Sequence, residues 1–427
     1  MRIQALQSLL HGTVAIPASK SHTIRAVAIA SLADGESFIH NPLISQDTLS
    51  CVQTYRALGA TINTKKTNLW IVNGTGGKIH APKETIDVGN SGTTLNIALG
   101  SASLVQSNEK ITLTGDYQIQ SRPVGMLCMA LTKLGAKSWT IKDNNCAPVV
   151  VRGRLKGGSV SIQCPTSQYL SSLLLACPLA EGDSEIDVPL LYEPDYAKMT
   201  LDWLDKQNIR YIRQDMSHFS IPGRQSYKPF NLSVPADFSS ATFFLCAGAL
   251  LADQIILTGL DFSDSQPDKS VIDYLTKMGA NIVIEQDKVI LRKSQLVGTE
   301  IDMNRTPDAL PAMAVTAAFA SGVTRLYNVP QARNKETDRI ACMAKELSKL
   351  GVNAEELSDG LVIHGGKKLH STDLHGYDDH RIVMAMSIAG MALDGITSVD
   401  TAEAAGVTFP DYVPMMQSLG AKITIVD

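Results

Sequence analysis

The sequence predicts a mixed α/β (α+β) chain built from six copies of one unit and divided into two lobes of three. Three observations predict it. A helix-closing signature recurs about every seventy residues, a short β-branched run keeps the same period, and an apolar Ala-rich stretch precedes each run. Two independent markers with one period signal an internal repeat, not chance recurrence of helix–turn–strand elements.

In chain order, the first copy reads RAVAIASLADG, then FIHN from Phe38, then RALGATI around Gly59. The second reads LNIALGSASLV, ITLTG from Ile111 and TKLGAKS around Gly135. The third reads YLSSLLLACPLAEGD, IDVP from Ile186 and LDKQNIRYI, with Asn208 where the others have glycine. The fourth has ATFFLCAGALLADQ, IILTG from Ile255 and TKMGANI around Gly279. The fifth has AMAVTAAFASGV, TRLYN from Thr324 and SKLGVNA around Gly351. The sixth has MAMSIAGMALDGI, TSVD from Thr397 and QSLGAKI around Gly420. Gly and Asn are the residues that most readily adopt the left-handed conformation closing a helix. Each signature therefore predicts helix, cap, then strand. Stretches apolar all round predict buried helices. One core seldom grows past ~250–300 residues, so the lobe boundary is expected near residues 234–240. Periodicity leaves open which lobe holds the N-terminal strand.

Composition narrows the function. Lys plus Arg is 38 against 42 Asp plus Glu, a net charge of −4, and aromatic residues are only 5%. Neither a nucleic-acid partner nor a base-stacking platform fits. The seven cysteines are scattered and never spaced Cys-x-x-Cys, so neither a disulfide framework nor a zinc site is expected. The first residues lack a signal-peptide core, and the longest apolar run, 243–252, is too short for a membrane span. The expectation is a cytoplasmic chain with no membrane partner.

Six stretches carry chemistry. Pro17–Arg25 joins small residues to Lys20, Ser21 and Arg25 before the first apolar helix, and Val88–Thr94 is a Gly-rich polar loop before the second. A helix start with free N–H groups suits an anion. Arg122, in Ser-Arg-Pro, suits bidentate binding of carboxylate or phosphate. Asn334–Arg339 places Glu336 and Arg339 on one face with Lys335 beside them, offering a proton donor between cations. Asp308 precedes an Ala-rich helix and reads as a general base or a plain N-cap. Asp379-His380-Arg381 lacks a third metal ligand, and Arg381 would oppose a cation, so no metal is expected. Each stretch alone also reads as a helix cap or a solvated charge. Most share one location, the loop leading into the apolar helix. Lys20, Arg25, Arg122, Lys335, Arg339 and Arg381 would then surround one polyanionic substrate pair. No phosphate-loop or dinucleotide fingerprint is present, and no nucleophile sits beside a base.

The set PASKSHTIRA, GNSGTT, SRPVG, TSQY, TPDA, RNKETDR, DDHR and TFPDY, in this order across nearly the whole chain, resembles the 5-enolpyruvylshikimate-3-phosphate (EPSP) synthase family. The resemblance implies two lobes of three βαβαββ units, residues 19–237 in one and 1–18 with 238–427 in the other. It implies transfer of the enolpyruvyl group of phosphoenolpyruvate to the 5-hydroxyl of shikimate 3-phosphate by a monomer, without metal or cofactor. By motif match, phosphoenolpyruvate would be held by Lys20, Asn90, Gly92, Arg122, Gln168, Arg339 and Arg381. Shikimate 3-phosphate would meet Lys20, Ser21, Arg25, Thr166, Ser167, Gln168, Tyr196, Asp308, Gln331 and Lys335. Asp308 would take the hydroxyl proton, and Glu336 with Lys20 would protonate the methylene carbon.

Five positions depart from the family pattern. Asn96-Ile97 replaces Arg-Pro, Glu193 replaces a Ser, Gln331 replaces Asn, and Val407 stands where some members have Lys. A carboxylate at 193 would repel a sugar phosphate, which keeps open a paralogue with an unphosphorylated hydroxy-acid acceptor. The UDP-N-acetylglucosamine branch is disfavoured because 117–121 lacks its cysteine. A non-catalytic polyanion binder would need neither Asp308 nor Glu336.

Overall fold

The computed structural model describes residues 1–427. It contains six four-stranded sheets, all wired alike. In the second repeat, Ile86–Asp87 lies parallel to Lys110–Thr114, which pairs antiparallel with Val149–Arg152, itself antiparallel to Lys137–Thr140. The order across the sheet is thus first, second, fourth, third. The parallel pair is joined by the buried helix Gly92–Ala102 and the antiparallel part is reached through Gly125–Lys133. This is one βαβαββ unit, the helix supplying the crossover that parallel strands require.

Three of the sheets are completed by strands from elsewhere in the chain. Glu36–His40 finds its parallel partner in Asn231–Ser233, after the third repeat. Leu10–Ala15 supplies the first strand of the fourth sheet, parallel to Ala252–Thr258. Arg2–Leu6 enters the sixth sheet between Ile396–Asp400 and Lys422–Val426, antiparallel to both. The N-terminal segment is therefore two strands serving two different repeats.

The chain divides into two compact units. One, here the N-unit, is Ala18–Val234; the other, the C-unit, is Met1–Pro17 with Pro235–Asp427. Each has its own apolar core. The six predicted β-branched runs are all strands, and the second helix of every repeat closes at a positive-φ residue: Gly59, Gly135, Asn208, Gly279, Gly351 and Gly420. The helices predicted as core are core. In His380–Met391 every residue is buried.

In the N-unit, Gly92–Ala102 and Ser167–Ala176 approach closely at Gly100. A Cβ there would lie 2.4 Å from the Ser172 Oγ and 2.8 Å from its carbonyl oxygen. The Ser172 hydroxyl donates to the Asn96 carbonyl at 2.6 Å. This contact fixes how the two helix starts, both carrying candidate residues, sit beside one another. No helix is long and apolar enough to cross a membrane.

Ile3 is fully buried between Val399 and Ile425 on its two neighbouring strands. Ile3→Ala should cost about 2–5 kcal/mol in chemical unfolding. A loss below about 1 kcal/mol would mean that the borrowed strand contributes little to the C-unit.

Candidate active site

The N-unit gathers its candidate residues around three helix starts. Ser19 caps Lys20–Leu32, its hydroxyl accepting from the His22 N–H. Lys20 Nζ is 2.9 Å from the buried carboxylate of Asp47. Arg25 is buried. It donates to the Thr200 hydroxyl (2.9 Å), the Ser21 carbonyl (3.0 Å), the Tyr196 carbonyl (3.0 Å) and the Ser171 hydroxyl (3.5 Å). All four partners are neutral. Burial pulls its pKa down to about 10, against a smaller opposing contribution from Tyr196. A buried guanidinium with only neutral partners favours an incoming anion.

A second group forms around Gly92, the first residue of its helix. A Cβ at this position would lie 2.7 Å from Arg122 Nη1, so only glycine leaves the guanidinium its place. Asn96 donates to the Gly92 carbonyl (2.9 Å) and to Gln168 Oε1 (2.8 Å), and Gln168 Nε2 donates to the Thr93 hydroxyl at 3.2 Å. Asn96 thereby sets which end of the Gln168 amide points where. Asn90 donates to Asp116 and Gln118.

A third group lies at the start of Ser167–Ala176. Thr166 caps this helix, accepting from the Gln168 N–H, and the hydroxyls of Ser167 and Thr166 approach one oxygen of Glu193 at 3.0 and 3.5 Å.

In the C-unit, Asp308, Lys335, Glu336, Arg339 and Arg381 do meet. Asp308 lies 2.9 Å from Arg339 Nη1, 3.1 Å from Arg381 Nη2 and 3.6 Å from Lys335 Nζ. Arg339 is 1% exposed and also binds Glu336 and both oxygens of Asp379, at 2.8 and 3.1 Å. Arg381 is anchored by the Asp308 carbonyl (3.2 Å) and the Ser239 hydroxyl (2.8 Å). Gln331 is buried and donates to the Asn304 carbonyl at 3.0 Å, while its Oε1 has no hydrogen-bond partner in the fold. That oxygen fits a ligand hydroxyl. No group of three or more His, Cys, Asp or Glu could hold a metal ion.

Burial alone would push the Asp308 carboxyl up. Arg381, Lys335 and Arg339 together overcome this and hold it well below the usual carboxylate range. Arg339 is penalised by burial, yet Asp379, Glu336 and Asp308 raise its pKa overall. Asp308 is thus a fully ionised counter-ion in the ligand-free cluster.

Two sequence expectations need correction, and one needs an addition: the three C-unit cations also face Asp308, Glu336 and Asp379, carboxylates of their own unit. Asp308 is not an N-cap; it lies in the 3-10 turn Pro307–Ala309 with its carboxylate turned to the cations. Arg122 and the Lys335–Arg339 stretch lead into the second helix of their repeats, not the apolar one. Sequence reasoning also missed Asp47 and Ser239, and the positioning roles of Asn96 and Asp379. Asp379 carries the one usable signal, an N-cap residue before an apolar run; it accepts from the Arg381 N–H at 2.9 Å.

The family model for EPSP synthase (3-phosphoshikimate 1-carboxyvinyltransferase) matches residues 5–416. A protein of Ruminiclostridium cellulolyticum named 3-phosphoshikimate 1-carboxyvinyltransferase is 49% identical over 426 residues, covering 100% of both chains. The solved EPSP synthase of Acinetobacter baumannii superposes with a TM-score of 0.83 at 26% identity, covering 100% of each chain. An enolpyruvyl transferase of Streptomyces tendae shares the fold, with a TM-score of 0.80 at 20% identity over 99% of this chain and 98% of its own. The architecture is therefore that of the enolpyruvyl transferases. Within that class, the chain belongs to the EPSP synthase family.

Asp308→Asn leaves three cations facing two carboxylates and should cost of the order of 3 kcal/mol at neutral pH. The folded-state pKa of Asp308 is depressed, so its contribution is complete above the unfolded value of ~3.9 and fades as pH falls below it. Melting curves should show a constant deficit from pH 8 to about 5 that closes below about pH 4. A deficit independent of pH through the acid range would contradict this reading.

Proposed function

We propose that the chain transfers the enolpyruvyl group of phosphoenolpyruvate to the 5-hydroxyl of shikimate 3-phosphate, releasing inorganic phosphate. Family membership supports the reaction. The observation that carries the residue roles is the pair of carboxylates, Asp308 and Glu336, on two limbs of the buried Arg339 guanidinium.

In the proposed sequence Glu336, with Lys20, delivers a proton to C3 of phosphoenolpyruvate as the acceptor oxygen bonds to C2. The hydroxyl proton passes to Asp308. The tetrahedral adduct then breaks its C2–O bond to phosphate while C3 returns a proton, restoring the double bond. Atoms and electrons balance without a redox partner. Lys20, Asn90, Gly92, Arg122, Gln168, Arg339 and Arg381 are assigned to phosphoenolpyruvate. Ser21, Arg25, Thr166, Ser167, Tyr196, Gln331 and Lys335 are assigned to shikimate 3-phosphate, with Lys20, Gln168 and Asp308 also reaching it.

The depressed pKa of Asp308 fits a base that becomes effective only with ligand present. Substrate carboxylate and phosphate groups take up the field of Arg339, Arg381 and Lys335, returning Asp308 toward the ordinary range. The same cations stabilise charge as phosphate departs.

Phosphate release from phosphoenolpyruvate should require shikimate 3-phosphate. Asp308→Asn and Glu336→Gln should each lower kcat by roughly 10²–10⁴ while KM changes little, as for loss of a general acid or base. Wild-type turnover in either variant would remove that residue from the mechanism. Gly92→Ala is compatible with the helix, yet its methyl takes the place of Arg122 Nη1. It should raise KM for phosphoenolpyruvate more than tenfold (about 1.4 kcal/mol).

A further inference from the structure

The buried Glu193 is held where a side chain of its type is seldom found. Its backbone is left-handed, with φ 58° and ψ 46°, a conformation costly for a non-glycine residue. It immediately precedes the helix Pro194–Lys206, yet its carboxylate does not cap that helix. One carboxylate oxygen instead sits 3.0 Å from the Ser167 hydroxyl and 3.5 Å from that of Thr166.

Sheet register explains how this comes about. Gly158–Cys164 and Ser184–Leu191 run parallel, with Cys164 opposite Leu191, and the Tyr192 N–H donates to the Cys164 carbonyl at 3.0 Å. Two residues beyond that pair on each chain lie Thr166 and Glu193, carried off the same sheet end together. The Pro194 ring pre-sets the helix that follows.

The hydroxyls that Glu193 engages belong to a place suited to an external anion. They stand at the N-terminus of Ser167–Ala176, and Ser171, one turn further on, meets Arg25, whose partners are all neutral. Helix start, two hydroxyls and a buried guanidinium are the donor set of an oxyanion site. Here the protein's own carboxylate already occupies the hydroxyl pair.

We propose that Glu193 sets acceptor specificity by occupying the hydroxyl pair of Thr166 and Ser167, so that an acceptor's phosphate must bind against like charge. The consequence is a compressed preference for shikimate 3-phosphate over unphosphorylated shikimate. The inference rests on the assignment of Thr166 and Ser167 to the acceptor made above. Two like charges at contact distance oppose one another by several kcal/mol even in a partly screened site, so relief of the contact should be readily measured.

The test uses the full-length chain and the variants Glu193→Ser and Glu193→Gln, the second preserving shape should the first fold poorly. Calorimetric binding of shikimate 3-phosphate is compared with kcat and KM for shikimate 3-phosphate and for shikimate. Both variants should bind shikimate 3-phosphate at least about tenfold more tightly, with KM falling in step and kcat little changed. Their KM for shikimate should move less than about threefold. Unchanged, weaker or absent binding of shikimate 3-phosphate in both folded variants overturns the proposal. So does an equal gain for both acceptors, which would indicate general relief of strain. Wild-type protein that releases phosphate with neither acceptor would instead overturn the proposed reaction, while the binding comparison still decides the role of Glu193.

Discussion

One buried guanidinium organises the C-unit's chemistry. Arg339 sits at the start of its helix with almost no exposure and joins Asp308 and Glu336 of its own repeat to Asp379 of the next. Asp379 in turn caps the helix that begins with His380 and receives the Arg381 N–H, and Arg381 reaches back to Ser239 at the start of the fourth repeat's core helix. The starts of all three core helices of the unit are thereby tied to one charge network. Such a network is held together by mutual compensation: removing any member leaves its neighbours buried with unbalanced charge. The residues proposed to move protons are also residues that keep the unit's charges matched.

The repeats explain why so few local rules position so many groups. Each repeat delivers an apolar helix whose first turn emerges from the sheet beside a polar loop, and close packing between helices aligns those first turns. Gly100 against Ser172 is the clearest case, because the absence of a side chain on one helix allows the backbone of the other to approach. Gly92 performs a related task at the surface of the site, leaving room for Arg122. In both places glycine sets a distance between charged or polar groups.

Much of this was legible in the sequence. The period was readable because every repeat closes its second helix with Gly or Asn in the left-handed conformation, a local and chemically restrictive event. The motifs identified Lys20, Asp308, Glu336, Arg339 and Arg381 because charged residues at helix starts stand out against apolar runs. The pairing of Asn231–Ser233 with Glu36–His40 was not readable, since a three-residue strand leaves no periodic trace and its partner lies far away in sequence. Nor was the internal neutralisation of the cations. Asp379 and Asp47 look like ordinary helix-start residues until the fold brings a cation to each. Asn96 stood out only as a departure from the family pattern, because its work, orienting the Gln168 amide, depends on a helix far away in sequence.

The borrowed strands also impose an order on synthesis. Everything the first three sheets require has been translated once Asn231–Ser233 emerges, so the N-unit can close while the rest of the chain is still being made. Arg2–Leu6 is translated long before its two partners, Ile396–Asp400 and Lys422–Val426, and must wait for both. At roughly 5–20 residues per second, that wait lasts some tens of seconds. During it an apolar strand, with Ile3 and Ala5 on its buried face, has no native partner. The pairing that finishes the C-unit therefore leaves this strand in need of protection from aggregation until its partners are made.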